Sequence, residues 1–165
     1  MAVVFELVVN FGTNESAVSR AEEVCRTHQA LRFKDAQLGL RGPWITRFTN
    51  AYIEFSVGVE GLNMGGPRHP AVDAYHVEKA DLRLVSEQLY ELLQLFDGYL
   101  VAQVGWDPEG DVNPEELREQ VAESGTTGFN GIVLAEQLAR NLGLDTSMEP
   151  FTPGHLWFPS ALHMK

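Results

Sequence analysis

The stretch "NAYIEFSVGVE", residues 50–60, decides the fold. Ala51, Ile53, Phe55, Val57 and Val59 alternate with Tyr52, Glu54, Ser56, Gly58 and Glu60. That two-residue period specifies a strand with one face buried and the other polar. A fully buried parallel strand would be apolar on both sides, so the pattern points to an antiparallel sheet with helices on one face.

Upstream, Val3, Phe5, Leu7, Val9 and Phe11 alternate with Val4, Glu6, Val8 and Asn10, giving a first strand. "GTNES" interrupts it, with Thr13 or Asn14 available to cap a helix. Ala17, Ala21, Val24, Cys25 and His28 then recur at helical spacing, which predicts an amphipathic helix over 15–28. Residues 31–40 predict a second strand whose apolar phase shifts near Asp35, as a bulge produces. "RGPW", at 41–44, predicts a turn.

Downstream of the opening stretch, Leu82, Val85, Leu89, Leu92, Leu93 and Phe96 form a helical stripe that ends at Asp97-Gly98. Residues 99–106 alternate again, with Leu100, Ala102, Val104 and Trp106 on the apolar side. The element order is β-α-β-β-α-β. It predicts an α+β, ferredoxin-like sandwich over 1–106: four antiparallel strands covered on one face by two helices.

Residues 107–165 read as a C-terminal helical and irregular extension of the same single domain. "NPEEL" is a helix start, with Asn113 at the cap, Pro114 at the first helical position and Glu116 where a capping box wants it. A further helix is expected over 132–142, stopped by Gly143 and Leu144. The tail "EPFTPGHLWFPSALHMK" carries prolines and aromatics and reads as irregular.

Charge narrows the function. Residues 1–80 hold 8 Lys/Arg and 9 Asp/Glu, and residues 81–165 hold 4 and 14, so a net of −10 lies in the second half. Such a surface repels phosphate backbones and attracts cationic partners. Nucleic acid is therefore an unfavourable partner. No apolar run approaches the ~18 residues of a membrane span, and the N-terminus lacks the pattern of a signal peptide. The single cysteine, Cys25, allows no intrachain disulfide. A soluble, cytoplasmic protein is the expectation.

Candidate sites follow from placement. On the sheet face away from the helices, Glu6, Tyr52 and Glu54 are the polar residues. The first and third strands of a ferredoxin-like sheet are neighbours, so Glu6 and Glu54 are expected close together, where two carboxylates raise one another's pKa. Val and Tyr side chains on the same face imply a cover, supplied by the aromatic tail or by a second subunit in a homodimer. "NMGGPRHPAVDAYH", at 63–76, is the crossover beside this face and adds Arg68 and His69 next to two glycines. Its His69, Asp73 and His76 match no metal signature, and neither metal nor cofactor is expected.

The acidic run supplies Asp107, Glu109, Asp111, Glu115, Glu116, Glu119 and Glu123 as partner-binding candidates. As a calcium loop it fails, because Val112 stands at the glycine position and Arg118 at the closing acidic position. "GTTGFNG", at 125–131, follows a helix and lacks the phosphate-binding lysine. Nothing resembles a supported nucleophile.

These features favour a non-enzymatic acidic module that engages a basic protein. Small immunity-type inhibitors of basic toxins share its charge and size. The alternatives are a small-molecule or enzyme site between the open sheet face and the 63–76 loop, and a dimeric scaffold.

Overall fold

The computed structural model describes residues 3–28, 30–49, 51–64, 77–108 and 112–160. Its main sheet is antiparallel throughout and has seven strands rather than the expected four, in the order β4-β5-β1-β6-β7-β9-β8. The chain contributes β1 (Val3–Asn10), α1 (Glu15–Thr27), β2 (Leu31–Phe33), β3 (Ala36–Leu38), β4 (Leu40–Arg47), β5 (Ile53–Met64), α2 (Lys79–Leu93) and β6 (Val101–Trp106). The second half adds α3 (Pro114–Ser124), β7 (Val133–Ala135), α4 (Glu136–Asn141), β8 (Glu149–Thr152) and β9 (His155–Trp157).

The alternating stretches fold as their patterns predict. Phe5, Leu7 and Val9 of β1 and Phe55, Val57 and Val59 of β5 share one buried face. The helices α1 and α2 cover it with Ala17, Val18 and Ala21 from one and Val85, Leu89, Leu92 and Leu93 from the other. Asn14 caps α1 by accepting from the Ala17 amide at 3.2 Å. Gly98 sits at φ +67°, where a Cβ would stand 2.7 Å from Asn14 Nδ2. Both backbone conformation and space therefore require glycine at the turn out of α2.

Three expectations are overturned. Residues 31–40 are not one strand: β2 and β3 form a separate hairpin, turned at Lys34 and Asp35, and Lys34 is left-handed at φ +53°. The Gln88 side chain of α2 ties this hairpin down, accepting from the Arg32 amide at 2.7 Å and donating to its carbonyl at 2.9 Å. Second, "RGPW" is not a turn but the middle of β4, which contains a cis Gly42–Pro43 bond and a register shift between Arg41 and Trp44. The bulge absorbs the proline, which has no N–H to give to a ladder.

Third, the second half is neither wholly helical nor irregular. Ile132 to Ala135, expected as the start of a helix, instead includes β7, which pairs with β6. The aromatic tail forms the β8–β9 hairpin, which extends the sheet beyond β7. The helix stop was legible, because Gly143 (φ +69°) and Leu144 donate to the Arg140 and Ala139 carbonyls at 3.0 and 2.9 Å in a Schellman motif. Leu144 drops into the core beneath it.

The face opposite α1 and α2 is covered as well. Val8, Val101 and Leu134 of the sheet pack with Val112, Leu117 of α3, Ile132, Ala139 of α4, Leu144 and Met148. Among its described residues the tail adds Leu156 and Phe158 at the margin of this second core. The cover is thus the chain's own α3–α4 segment more than its tail.

Candidate functional site

The register settles the geometry of the sheet carboxylates. Glu6 stands opposite Gly58, whereas Glu54 stands opposite Asn10. The two acids share a face but lie four residues apart along β1, about 13 Å at strand rise. They form no pair, and the expected juxtaposition is corrected. Both are buried. Glu6 is flanked by Gly58 and Gly105, and Trp44 folds over Gly58 from β4, leaving no room to spare where a Cβ would meet its ring at 3.3 Å. Arg68 and His69, with the rest of 65–76, lie outside the described residues.

Tyr52 and Glu54 come instead to the opposite end of β1, beside the start of α3. A cleft of about 370 Å³ opens there, walled by Asn10 and Gly12 after β1, Ala51 and Tyr52 before β5, Leu100, and Asn113, Pro114, Glu115 and Arg118 of α3. Asn10 builds its floor. It is fully buried, its Nδ2 donates to the Val112 carbonyl at 2.9 Å, and its Oδ1 accepts from the Gly12 amide at 2.8 Å. One side chain therefore fixes both the turn after β1 and the approach to α3.

Asn113 starts that helix by accepting from the Glu115 amide at 3.0 Å, and its Nδ2 donates to Glu116 Oε1 at 3.3 Å. Tyr52 leans on Phe48, with ring centroids 4.6 Å apart. Partial burial pushes the Tyr52 phenol above its usual pKa, and the negative charges of Glu54 and Glu116 push it further. A sheet acid and a helix acid thus act on one hydroxyl. Two candidate sets that were separate in the sequence, the sheet face and the acidic run, converge at this point.

The acidic run does not form one patch. Asp107 is left-handed at φ +43° and closes the far end of β1: its Oδ1 accepts from the Val4 amide at 2.7 Å and its own amide donates to the Val4 carbonyl at 2.9 Å. Val112, at the other end of the run, lies against Asn10. Val4 and Asn10 are six residues apart on β1, so Asp107 and Val112 stand at opposite ends of that strand. Asp107 is a strand clamp. Glu109 and Asp111 lie outside the described residues.

Glu115, Glu119 and Glu123 fall at successive four-residue steps on α3 and are exposed, as is Glu116. Among the described residues none of these four carboxylates enters an ion pair. Burial and Glu22 hold the Cys25 thiol at a pKa of about 12, far too high for a nucleophile. Among the described residues no group of three His, Cys, Asp or Glu side chains is arranged to hold a metal ion. No described helix is long and apolar enough to cross a membrane.

Sequence reasoning missed Asn10, Leu100 and Arg118 as cleft residues. Asn10 carried a signal, since a polar residue at the end of an apolar strand, two before a glycine, suits a turn-forming side chain. Leu100 carried none, because the strand pattern counted it as core. With fold and cleft in view, the chain matches no family model, no curated protein and no solved structure.

Proposed function

We propose that this protein is a non-enzymatic, acidic binding module that engages a basic protein through α3 and the rim of the adjoining cleft. The observation that carries the reading is the row of exposed carboxylates at Glu115, Glu119 and Glu123, unneutralised by any described cation. An exposed row of one sign raises the encounter rate with a cationic surface and selects against anionic ones. An immunity-type inhibitor of a basic toxin, acting in the cytoplasm, is the form of this function that size and charge suit. We further infer that β1, α1, β4, β5, α2 and β6 constitute a ferredoxin-like unit. Its support is the partial strand order β4-β5-β1-β6 with both helices on one face; the three added strands and the β2–β3 hairpin are elaborations on it.

The test is a search for basic binding partners, followed by titration against salt. The Glu115→Gln/Glu119→Gln/Glu123→Gln variant should bind more weakly and show a shallower salt dependence, with its melting temperature preserved. A partner whose affinity and salt slope ignore these three changes would sink the reading. A second reading, a small-molecule site, is favoured by the cleft itself, where Tyr52, Glu115 and Arg118 present a phenol, a carboxylate and a guanidinium around one cavity. A ligand that protects Tyr52 from modification would support it.

A further inference from the structure

We propose that a second groove, on the face of the sheet opposite α3, binds a small organic cation bearing a quaternary or alkylated ammonium group. The groove lies between α2 and the β8–β9 hairpin and encloses about 350 Å³. One wall is aromatic. Tyr90, Phe151 and Trp157 meet in a triangle with centroid separations of 6.0 Å (Tyr90–Phe151), 5.3 Å (Tyr90–Trp157) and 5.3 Å (Phe151–Trp157), and their planes are steeply inclined to one another. The three rings pack against one another, and Tyr90 is almost wholly buried, so the half-buried Phe151 and Trp157 supply the aromatic surface that a guest ammonium group meets.

The other wall is acidic. Glu87 and Glu91 are one helical turn apart on α2 and both line the groove. Glu87 already accepts from Arg83 Nε at 2.8 Å, while Glu91 is exposed and has no ion pair among the described residues. Among the described residues no lysine or arginine lines this groove, in contrast to the α3 cleft with its Arg118. An anion meets the Glu91 carboxylate here, and a neutral apolar guest leaves that carboxylate without a counter-charge. A cation whose charge is spread over methyl groups fits both walls at once.

The wall is rigid where it matters. Tyr90 Oη donates to the Gly131 carbonyl at 2.5 Å. Gly131 is left-handed at φ +75°, and a Cβ there would collide with that hydroxyl. The Tyr90 ring is thereby fixed where it packs against Phe151 and Trp157. Pre-set rings lose little freedom when a guest arrives.

The experiment is calorimetric titration of the full chain with choline, at fixed ionic strength maintained by sodium chloride. Saturable binding is expected, weakened about tenfold in Glu91→Gln, equivalent to about 1.4 kcal/mol, and lost in Trp157→Leu. Glu91 is exposed, so its variant keeps the fold, and an unchanged melting temperature verifies that. A parallel titration with a trimethyl-lysine peptide identifies the source of the cation. Absence of saturable choline binding overturns the proposal. So does choline binding that survives Glu87→Gln/Glu91→Gln intact, or binding confined to the peptide.

Discussion

The two faces of the sheet are built to different electrostatic rules. On the α1–α2 side, charges are matched across elements. Arg47 holds Glu15 at 2.8 Å, joining β4 to α1; Arg20 holds Asp97 at 2.7 Å, joining α1 to the end of α2; Lys34 holds Asp81 at 3.3 Å, joining the small hairpin to α2. On the other side, α3 has one arginine among four exposed glutamates and forms none of these bridges. Exposed pairs contribute little stability each. What they do is neutralise: among the described residues the first face has charges matched across its elements, Glu91 being left over, whereas α3 has none. The apolar layers differ in the same sense: the first core runs from β4 to β7 beneath two long helices, and the second is a smaller cluster under α3 and α4.

That contrast predicts unequal responses to the same chemical change. Truncating a buried leucine to alanine costs about 2–5 kcal/mol, depending on how far the site collapses. Leu89→Ala, in the middle of α2, should fall near the top of that range and lower the melting temperature of the whole chain. Leu117→Ala should fall nearer the bottom and act locally, with α3 amides exchanging faster while those of α2 stay protected. Equal exchange of α2 and α3 in the Leu117 variant would show that the two layers open together, and the comparison would fail.

A smaller effect is expected at the cleft. Asn113→Ala removes the α3 cap and should cost about 1 kcal/mol. It also frees the Glu116 carboxylate that Asn113 holds. The same variant therefore sharpens the contrast: chemical modification or fluorescence of Tyr52 should change, and the α1–α2 face should not.

The smallest predicted effect concerns pH. His155 stacks on the Tyr99 ring at a centroid distance of 3.9 Å, and its Nε2 lies 3.1 Å from the Tyr99 carbonyl. Burial holds its pKa below the ordinary value of 6.5, against the opposing pull of the Tyr99 and Pro153 carbonyls. A histidine with a depressed folded pKa takes up its proton more readily when unfolded. Its contribution is therefore intact above pH 6.5 and declines as the pH falls below that value. Denaturation measured between neutral and mildly acidic pH should show this decline, and His155→Gln should flatten it. A slope that persists in the variant would assign the effect to carboxylates instead.

How much of this was legible in the sequence divides along the same line. The strands carrying Phe5 to Val9 and Phe55 to Val59, and the α1 and α2 helices, have strong periods because each buries one face in a large core. Their order and type could be read directly. The second half could not be read so well. β7, β8 and β9 are three or four residues long, too short for a period to emerge. Their place is set by pairing with β6 and with one another, which is tertiary information. β4 misled for a different reason: glycine and proline are turn residues in most settings, and a bulged strand tolerates them. At the cleft, Tyr52 and Glu54 were visible as the polar side of a strand. Their meeting with α3 depends on where that helix starts against the sheet, which no local pattern encodes.

The bulged β4 strand has one more consequence, for what the sheet will not do. Among the described residues β4 and β8 end the strand order, so each has a strand neighbour on one side only. Each carries a proline, Pro43 or Pro150, and each has its register broken, between Arg41 and Trp44 in one and between Pro150 and Thr152 in the other. A missing donor and a kink at both borders deny an incoming strand a straight template. Two local irregularities thereby make the borders of a broad antiparallel sheet poor templates for strand addition.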